Sequence, residues 1–396
     1  MITNGFTYIA FLMFIAGGML ALQKYTKWKI FDIIPPLVWI YVLNMVFCTI
    51  GLYDSEGCST AYSSLKNNLL YAMIFVMLLR CDFRKLAKLS GRMIAIFLGC
   101  SVTLAIGFIA LYPIFNNSLG DNNWGAVAAL YASWVGGSAN MAAMQDALPV
   151  DPGAYSCALA LDTVCYSVWI ALLLLAVKIA PKWDKATKAD KSKLEAVAEA
   201  ANKEVAGEKR KASAGDWIFL IGISLLVSAL SQNVGASANA ALKSVGLGMF
   251  DKGTITTVLV TVLGLICAMT PMGKLPAVEE LSNVYLYAVV SLLASTATVV
   301  DLINAPMWVV YGFIILAIHV VLMFVLSKIF KWDLCMVSTA SLANIGGSAS
   351  APIVASAYDA SYAGIGVLMG VLGAAIGNFC GLGMGAILNW MSGLLG

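Results

Sequence analysis

Long apolar runs constrain this chain more than any motif it carries. They fall at 5–23, 36–53, 66–80, 93–116, 125–147 and 154–180, and again at 216–233, 254–272, 282–300, 306–331, 335–359 and 362–394, bounded by charged residues, Pro or Asn/Gly clusters. Several reach the roughly 20 residues that a helix needs to cross a bilayer. Backbone in hydrocarbon has no water to bond, so each run must satisfy its own N–H and C=O groups, which an α-helix does. Composition agrees: 61% of residues are hydrophobic and 11% charged, against about a quarter charged in a soluble domain. The pattern predicts an all-α polytopic membrane protein surrounded by lipid. Phe6 to Leu22 has no basic segment before it and reads as a retained first helix, not a cleaved signal.

A net charge of +3 is too small to call for a nucleic-acid partner. The nine cysteines show no C-x-x-C spacing and read as small hydrophobes. No G-x-x-x-x-G-K-[ST] phosphate loop occurs, so no nucleotide drive is expected from this chain. No enzyme signature such as H-E-x-x-H is present either, and no cofactor is expected.

The Lys/Glu/Ala-rich stretch "KWDKATKADKSKLEAVAEAANKEVAGEKRKASAGD" separates the two sets of runs and reads as a solvated, partly helical linker. The chain thus divides into 1–180, a linker over 181–215, and 216–396. The halves correspond in order: "PPLVWIYVLNMVFCTIGL" with "TTVLVTVLGLICAMTP", "NNLLYAMIFVMLL" with "SNVYLYAVVSLLA", and "WVGGSAN" (134–140) with "NIGGSAS" (344–350). Such symmetry is the trace of a structural repeat.

Charge sets the topology. Lys24, Lys27 and Lys29 follow the first run, and Arg80, Arg84, Lys85, Lys88 and Arg92 follow the third. Both groups and the linker belong on the cytoplasmic side by the positive-inside rule. Three runs separate Arg92 from the linker, so one of them must fail to cross. The segment 125–147 is the candidate, being interrupted by Gly136-Gly137 and by Ser133, Ser138, Asn140, Gln145 and Asp146. With 335–359 treated alike, all but Lys66, Lys243 and Lys252 of the 24 Lys and Arg fall inside. The expected architecture is two inverted repeats, each of five transmembrane helices plus a re-entrant hairpin, with both hairpin tips near the midplane.

Non-helical backbone at membrane depth is tolerated only when buried or lining a polar cavity. Glycine suits a tip because it accepts positive φ and lets a ligand approach the main chain. Unpaired N–H groups at a half-helix start suit a carboxylate, whereas unpaired carbonyls with side-chain oxygens suit sodium. The candidate solute-binding residues are therefore Gly136, Gly137, Ser138, Asn140, Asn344, Gly346, Gly347, Ser348 and Ser350. Asp162, in "ALALDTVCYSVW", is the one carboxylate well inside an apolar run, and such an acid is functional by default. Asp162, Thr163 and Asn378 are the candidate ion-coupling residues, with sodium expected at Ser138, Asp162 and Ser348. His319 reads as a packing residue and Asn44 as an interhelical hydrogen bond, while Asp146 and Asp301 read as solvated. Every Lys and Arg sits at a run edge or in a loop, so no cation is expected at the site.

Glycine-paired tips in inverted five-span halves resemble those of bacterial sodium/glutamate symporters and 2-hydroxycarboxylate transporters. The chain as a whole, over roughly 5–394, resembles the YjcL-like membrane-protein family of the cation:proton antiporter and anion transporter superfamily. The resemblance implies a homodimer in the bacterial cytoplasmic (inner) membrane, with a fixed scaffold and a mobile core that slides as an elevator. It also implies that Gly136, Gly137, Ser138, Gly346, Gly347 and Ser348 lie at the site. The expected function is secondary transport, sodium-coupled, of a small organic anion or amino-acid-like solute. A proton-coupled antiporter using Asp162 is the alternative, and a channel a third. Around the glycine motif the sequence departs from those symporters, which leaves the solute open.

Overall fold

The computed structural model describes residues 1–395 apart from positions 27, 35, 54, 83, 85–89, 192–193, 206–209, 245–251 and 301–304. It also omits the side chains at 32, 33, 55, 56, 195, 196, 202–205, 243, 348, 349 and 395. Lys27, Lys85, Lys88 and Asp301, with the side chains of Lys243 and Ser348, therefore lie outside the described residues.

Among the described residues the chain is helical, with one isolated bridge between Ile2 and Tyr53 and no sheet. The first half contains α1 (Gly5–Thr26), α2 (Pro36–Thr49), α3 (Ser55–Leu78), α4 (Gly91–Phe115), α5 (Trp124–Gly136), α6 (Ser138–Ala147) and α7 (Pro152–Ala176). The linker holds α8 (Ala180–Thr187) and α9 (Leu194–Val205). The second half contains α10 (Ala214–Ser244), α11 (Lys252–Ala268), α12 (Val278–Ala294), α13 (Ala305–Phe330), α14 (Leu334–Ile345), α15 (Gly347–Tyr358) and α16 (Ala363–Leu395). Polar residues at the run edges start helices by capping a first-turn N–H. Asp151 accepts from Ala154 N at 2.9 Å ahead of α7, and Asp333 from Met336 N at 2.9 Å ahead of α14.

Six of the described helices are long and apolar enough to cross a membrane. The ten spans expected from the sequence are not all of that kind: α2 has 14 residues, and α11 and α12 have 17 each. Helix α3 begins well before the apolar run at 66, because Ser and Asn side chains in its polar half bond to helix backbone and to a neighbour instead of stopping it. Asn68 Nδ2 donates to the Ser64 carbonyl at 2.6 Å, and Ser228 and Gln232 of α10 donate to Asn68 at 2.8 and 2.7 Å. On α10, Ile218, Leu226, Leu230 and Val234 point outward, as lipid-facing residues do.

Both glycine-centred segments fold back on themselves. Gly125, at the start of α5, sits against the Pro149 carbonyl just beyond α6, where a Cβ would collide. At the second hairpin, Ser338 of α14 bonds the Tyr358 hydroxyl at the end of α15 at 3.1 Å. The open end of the first hairpin lies where Lys66 pairs with Asp146 at 3.6 Å and Thr254 donates to the Ala147 carbonyl at 2.8 Å. Tyr71 also bonds Asp146, so this carboxylate is held, not simply solvated. The second opens at the other end of the bundle, where Arg92 pairs with Asp190 at 3.2 Å and bonds the Lys331 carbonyl.

Helix α16 carries both hairpins on a glycine-rich surface. Gly373, Gly377 and Gly381 lie at four-residue spacing against Val135, Asn140 and Ala132 of the first hairpin, and Gly366 lies against Ala351 of the second. Small residues at such crossings let helix backbones approach, which replaces the missing hydrophobic drive between helices in lipid.

The linker is not a free tether. Leu194, Ala198 and Ala201 recur at helical spacing, are buried, and seat α9 against α16 and the turn at 360–362. Lys191 pairs with Asp184 at 2.5 Å, and Asp184 accepts from Leu334 N at 2.9 Å, which ties the linker to the entrance of the second hairpin.

Candidate functional site

Helix α5 ends at Gly136, and Gly137 turns the chain with φ 95° and ψ 174° before α6 starts at Ser138. That conformation is open almost only to glycine. On the second hairpin Gly346 follows α14, and Gly347, at φ 69°, begins α15. The two tips meet: a Cβ on Gly347 would lie 4.0 Å from the Gly137 Cα. Neither α6 nor α15 has a side-chain cap at its start, so the N–H groups that begin both helices at the junction lack that partner.

Two cavities flank this junction and share Gly137, Ser138 and Gly346. One, of about 210 Å³, is walled by Asp162, Thr163 and Tyr166 of α7 and by Ser350. The other, of about 180 Å³, is walled by the ends of α3 and α12, including Arg80, Ser282 and Asn283. Asp162 is buried and accepts from Ser133 Oγ at 3.1 Å and Trp134 Nε1 at 2.8 Å. It thereby grips the last turn of α5 just below the first tip. No ion pair to Asp162 occurs among the described residues. Thr163 donates to the Leu159 carbonyl at 3.0 Å and Ser350 to the Gly346 carbonyl at 2.6 Å, which leaves their oxygens able to accept or coordinate.

The candidate residues from the sequence thus fall into two groups. Gly136, Gly137, Ser138, Asp162, Thr163, Gly346, Gly347 and Ser350 border one or both cavities. Asn140, Asn344 and Asn378 border neither and are fully packed. Asn344 accepts from Ser101 Oγ at 2.7 Å and donates to the Ala340 and Phe97 carbonyls at 2.9 and 3.3 Å, which pins the second hairpin to α4. Asn140 donates to Asn378 Oδ1 at 2.9 Å, and Asn378 donates to Thr261 at 3.0 Å, which braces the first hairpin through α16 to α11. These amides brace the tips from behind and border neither cavity. Asn44 bonds the Ile40 carbonyl in its own helix and the Tyr53 hydroxyl, both at 2.8 Å, and among the described residues neither bond joins it to another helix. Arg80, Tyr166, Ser282 and Asn283 were not singled out by sequence; Arg80 registered there only as a topological charge.

His319 bridges Thr103 Oγ1 at 2.7 Å and Ser341 Oγ at 2.8 Å, and Trp169 Nε1 adds a third bond at 3.0 Å to Ser341. With both ring nitrogens engaged in a buried network, its role is packing. His319→Ala is expected to lower thermal stability by about 1–3 kcal/mol, from orphaned hydroxyls, and to leave the pH profile of activity in place. A profile displaced by a pH unit or more in the folded variant would show a proton-carrying role instead.

Long apolar helices, buried polar tips and lipid-facing aliphatic surface define a multi-pass, membrane-embedded helical protein. A family model described as "Protein of unknown function (DUF819)" matches residues 10–391, and the chain belongs to that family. Over 368 residues it is 28% identical to "Uncharacterized membrane protein YjcL" of Bacillus subtilis (strain 168), covering 89% of this chain and 88% of that one.

Proposed function

We propose that the protein is a secondary transporter that couples sodium to the movement of a small organic anion or amino-acid-like solute. The observation that carries this reading is the meeting of two glycine tips, from hairpins opening at opposite ends of the bundle, beside a buried carboxylate. The end bearing Arg84, Arg92 and the linker is the cytoplasmic one by its positive charge. The first hairpin then re-enters from outside and the second from the cytoplasm. Packing of α3 on α12 and of α4 on α13, with α2 on α12 mirrored by α11 on α3, supports two inverted repeats. A mobile core that carries both hairpin tips slides against a fixed scaffold as an elevator, in a homodimer in the cytoplasmic membrane, as in the transporters the chain resembles.

Sodium suits the hard oxygen donors around Asp162: its carboxylate, the hydroxyls of Ser138 and Thr163, and the tip carbonyls. A proton-coupled antiporter is the second reading, favoured by Asp162 standing in a cavity with no ion pair among the described residues. Purified protein in proteoliposomes, given labelled carboxylates, amino acids and neutral solutes, separates them. A sodium step at fixed pH is expected to raise uptake at least tenfold; indifference to sodium with a response to a pH step selects the proton version.

A further inference from the structure

The sequence placed every cation at a run edge, yet the structure sets one of them at the wall of a cavity beside the tips. Helix α3 stops at Leu78, and a tight turn follows: Leu79 N bonds the Phe75 carbonyl at 3.2 Å and Cys81 N the Leu78 carbonyl at 2.9 Å. Cys81 Sγ is anchored on the Val371 carbonyl of α16 at 3.5 Å. Between these fixed points Arg80 borders the same cavity as Gly137, Ser138 and Gly347. Its Nη2 meets Glu279 Oε2 at 3.2 Å, the one ion pair it makes among the described residues. Glu279 is the looser partner, with its side chain 56% exposed against 30% for Arg80.

We infer that Arg80 is the specificity-determining residue of the site and binds a carboxylate of the solute, which displaces Glu279. The inference rests on the transport reading above and names its substrate class. A guanidinium offers five N–H donors in a planar fork that matches a carboxylate in two parallel bonds, and the closest approach of Glu279 to it is Oε2 at 3.2 Å from Nη2. Exchanging Glu279 for a solute carboxylate keeps the charge of the pair balanced, so the exchange avoids exposing an unpaired cation. The uncapped start of α6 at Ser138 and the Asn283 amide border the rest of the cavity and suit a second polar group. A space of about 180 Å³ suits a compact solute.

The test is binding, measured apart from transport. Purified protein is titrated with three- to five-carbon mono- and dicarboxylates and with the corresponding neutral amides, read by thermal shift and calorimetry. Carboxylates, and not amides, are expected to stabilise the wild type. Arg80→Ala is expected to weaken carboxylate binding at least tenfold, Arg80→Lys to recover part of it, and Glu279→Gln to tighten it several-fold by removing the competitor. A merely structural ion pair would give losses of the same sign in Arg80→Ala and Glu279→Gln. Equal carboxylate binding by wild type and folded Arg80→Ala, or no carboxylate binding by wild type, overturns the inference. Sodium-driven uptake of neutral solutes alone would also overturn it while the transport reading stood; sodium-independent carboxylate binding without any uptake would do the reverse.

Discussion

Gly137→Ala is expected to cut sodium-driven uptake at least tenfold while the protein stays folded. At φ 95° and ψ 174° an alanine is strained by on the order of 1–3 kcal/mol. Among the described residues no atom lies within 4 Å of the new Cβ, so the penalty there is one of backbone conformation and not of collision. The tip relaxes by rotating φ, which swings Ser138 and the start of α6 away from Gly347 and out of both cavities. Gly136→Ala is a different lesion: its Cβ would lie 2.5 Å from Asn140 Oδ1 and 2.7 Å from the Gly373 carbonyl. That variant is expected to lose the seating of the first hairpin on α16 and to unfold at lower temperature. Uptake assays beside thermal unfolding separate the two outcomes. Wild-type uptake by Gly137→Ala would remove the tip from the mechanism.

Asp162→Asn is expected to abolish the sodium dependence of uptake, with at least a tenfold loss of sodium-driven rate. The amide carries no charge to attract a cation, yet it can keep both contacts of the carboxylate. Its Oδ1 accepts from Trp134 Nε1 and its Nδ2 donates to Ser133 Oγ, a hydroxyl that accepts as well as donates. Asp162→Ala removes the partner of both groups and is expected to be less stable by about 1–3 kcal/mol. Sodium titrations of uptake, paired with melting curves, decide the role. Unchanged sodium dependence in folded Asp162→Asn would leave this carboxylate as the clasp that holds Trp134 and nothing more.

Much of the outline was legible because it depends on quantities that add along the chain. Hydropathy over a window decides which segments enter lipid, and the lipid then demands helix, since unpaired backbone has no other partner there. The position of glycines marks where a helix can turn back, and Gly137 and Gly347 both take positive φ. The acid singled out in the seventh helix does border the tips. Less legible were the amides: Asn140, Asn344 and Asn378 have the composition of ligands, and only their neighbours Ser101, Thr261 and the helix carbonyls show them to be braces.

By itself, then, the sequence determined that this is an all-helical membrane protein with two glycine-broken segments and a charged connector between its halves. Tertiary structure decided which polar groups face a cavity, that the connector packs on α16 and the entrance of the second hairpin, and that Arg80 borders the cavity beside the tips. The physical reason is distance along the chain. Membrane insertion is a property of local composition, but a cavity is walled by residues as far apart as Arg80, Gly137 and Gly347, whose meeting depends on how whole helices cross.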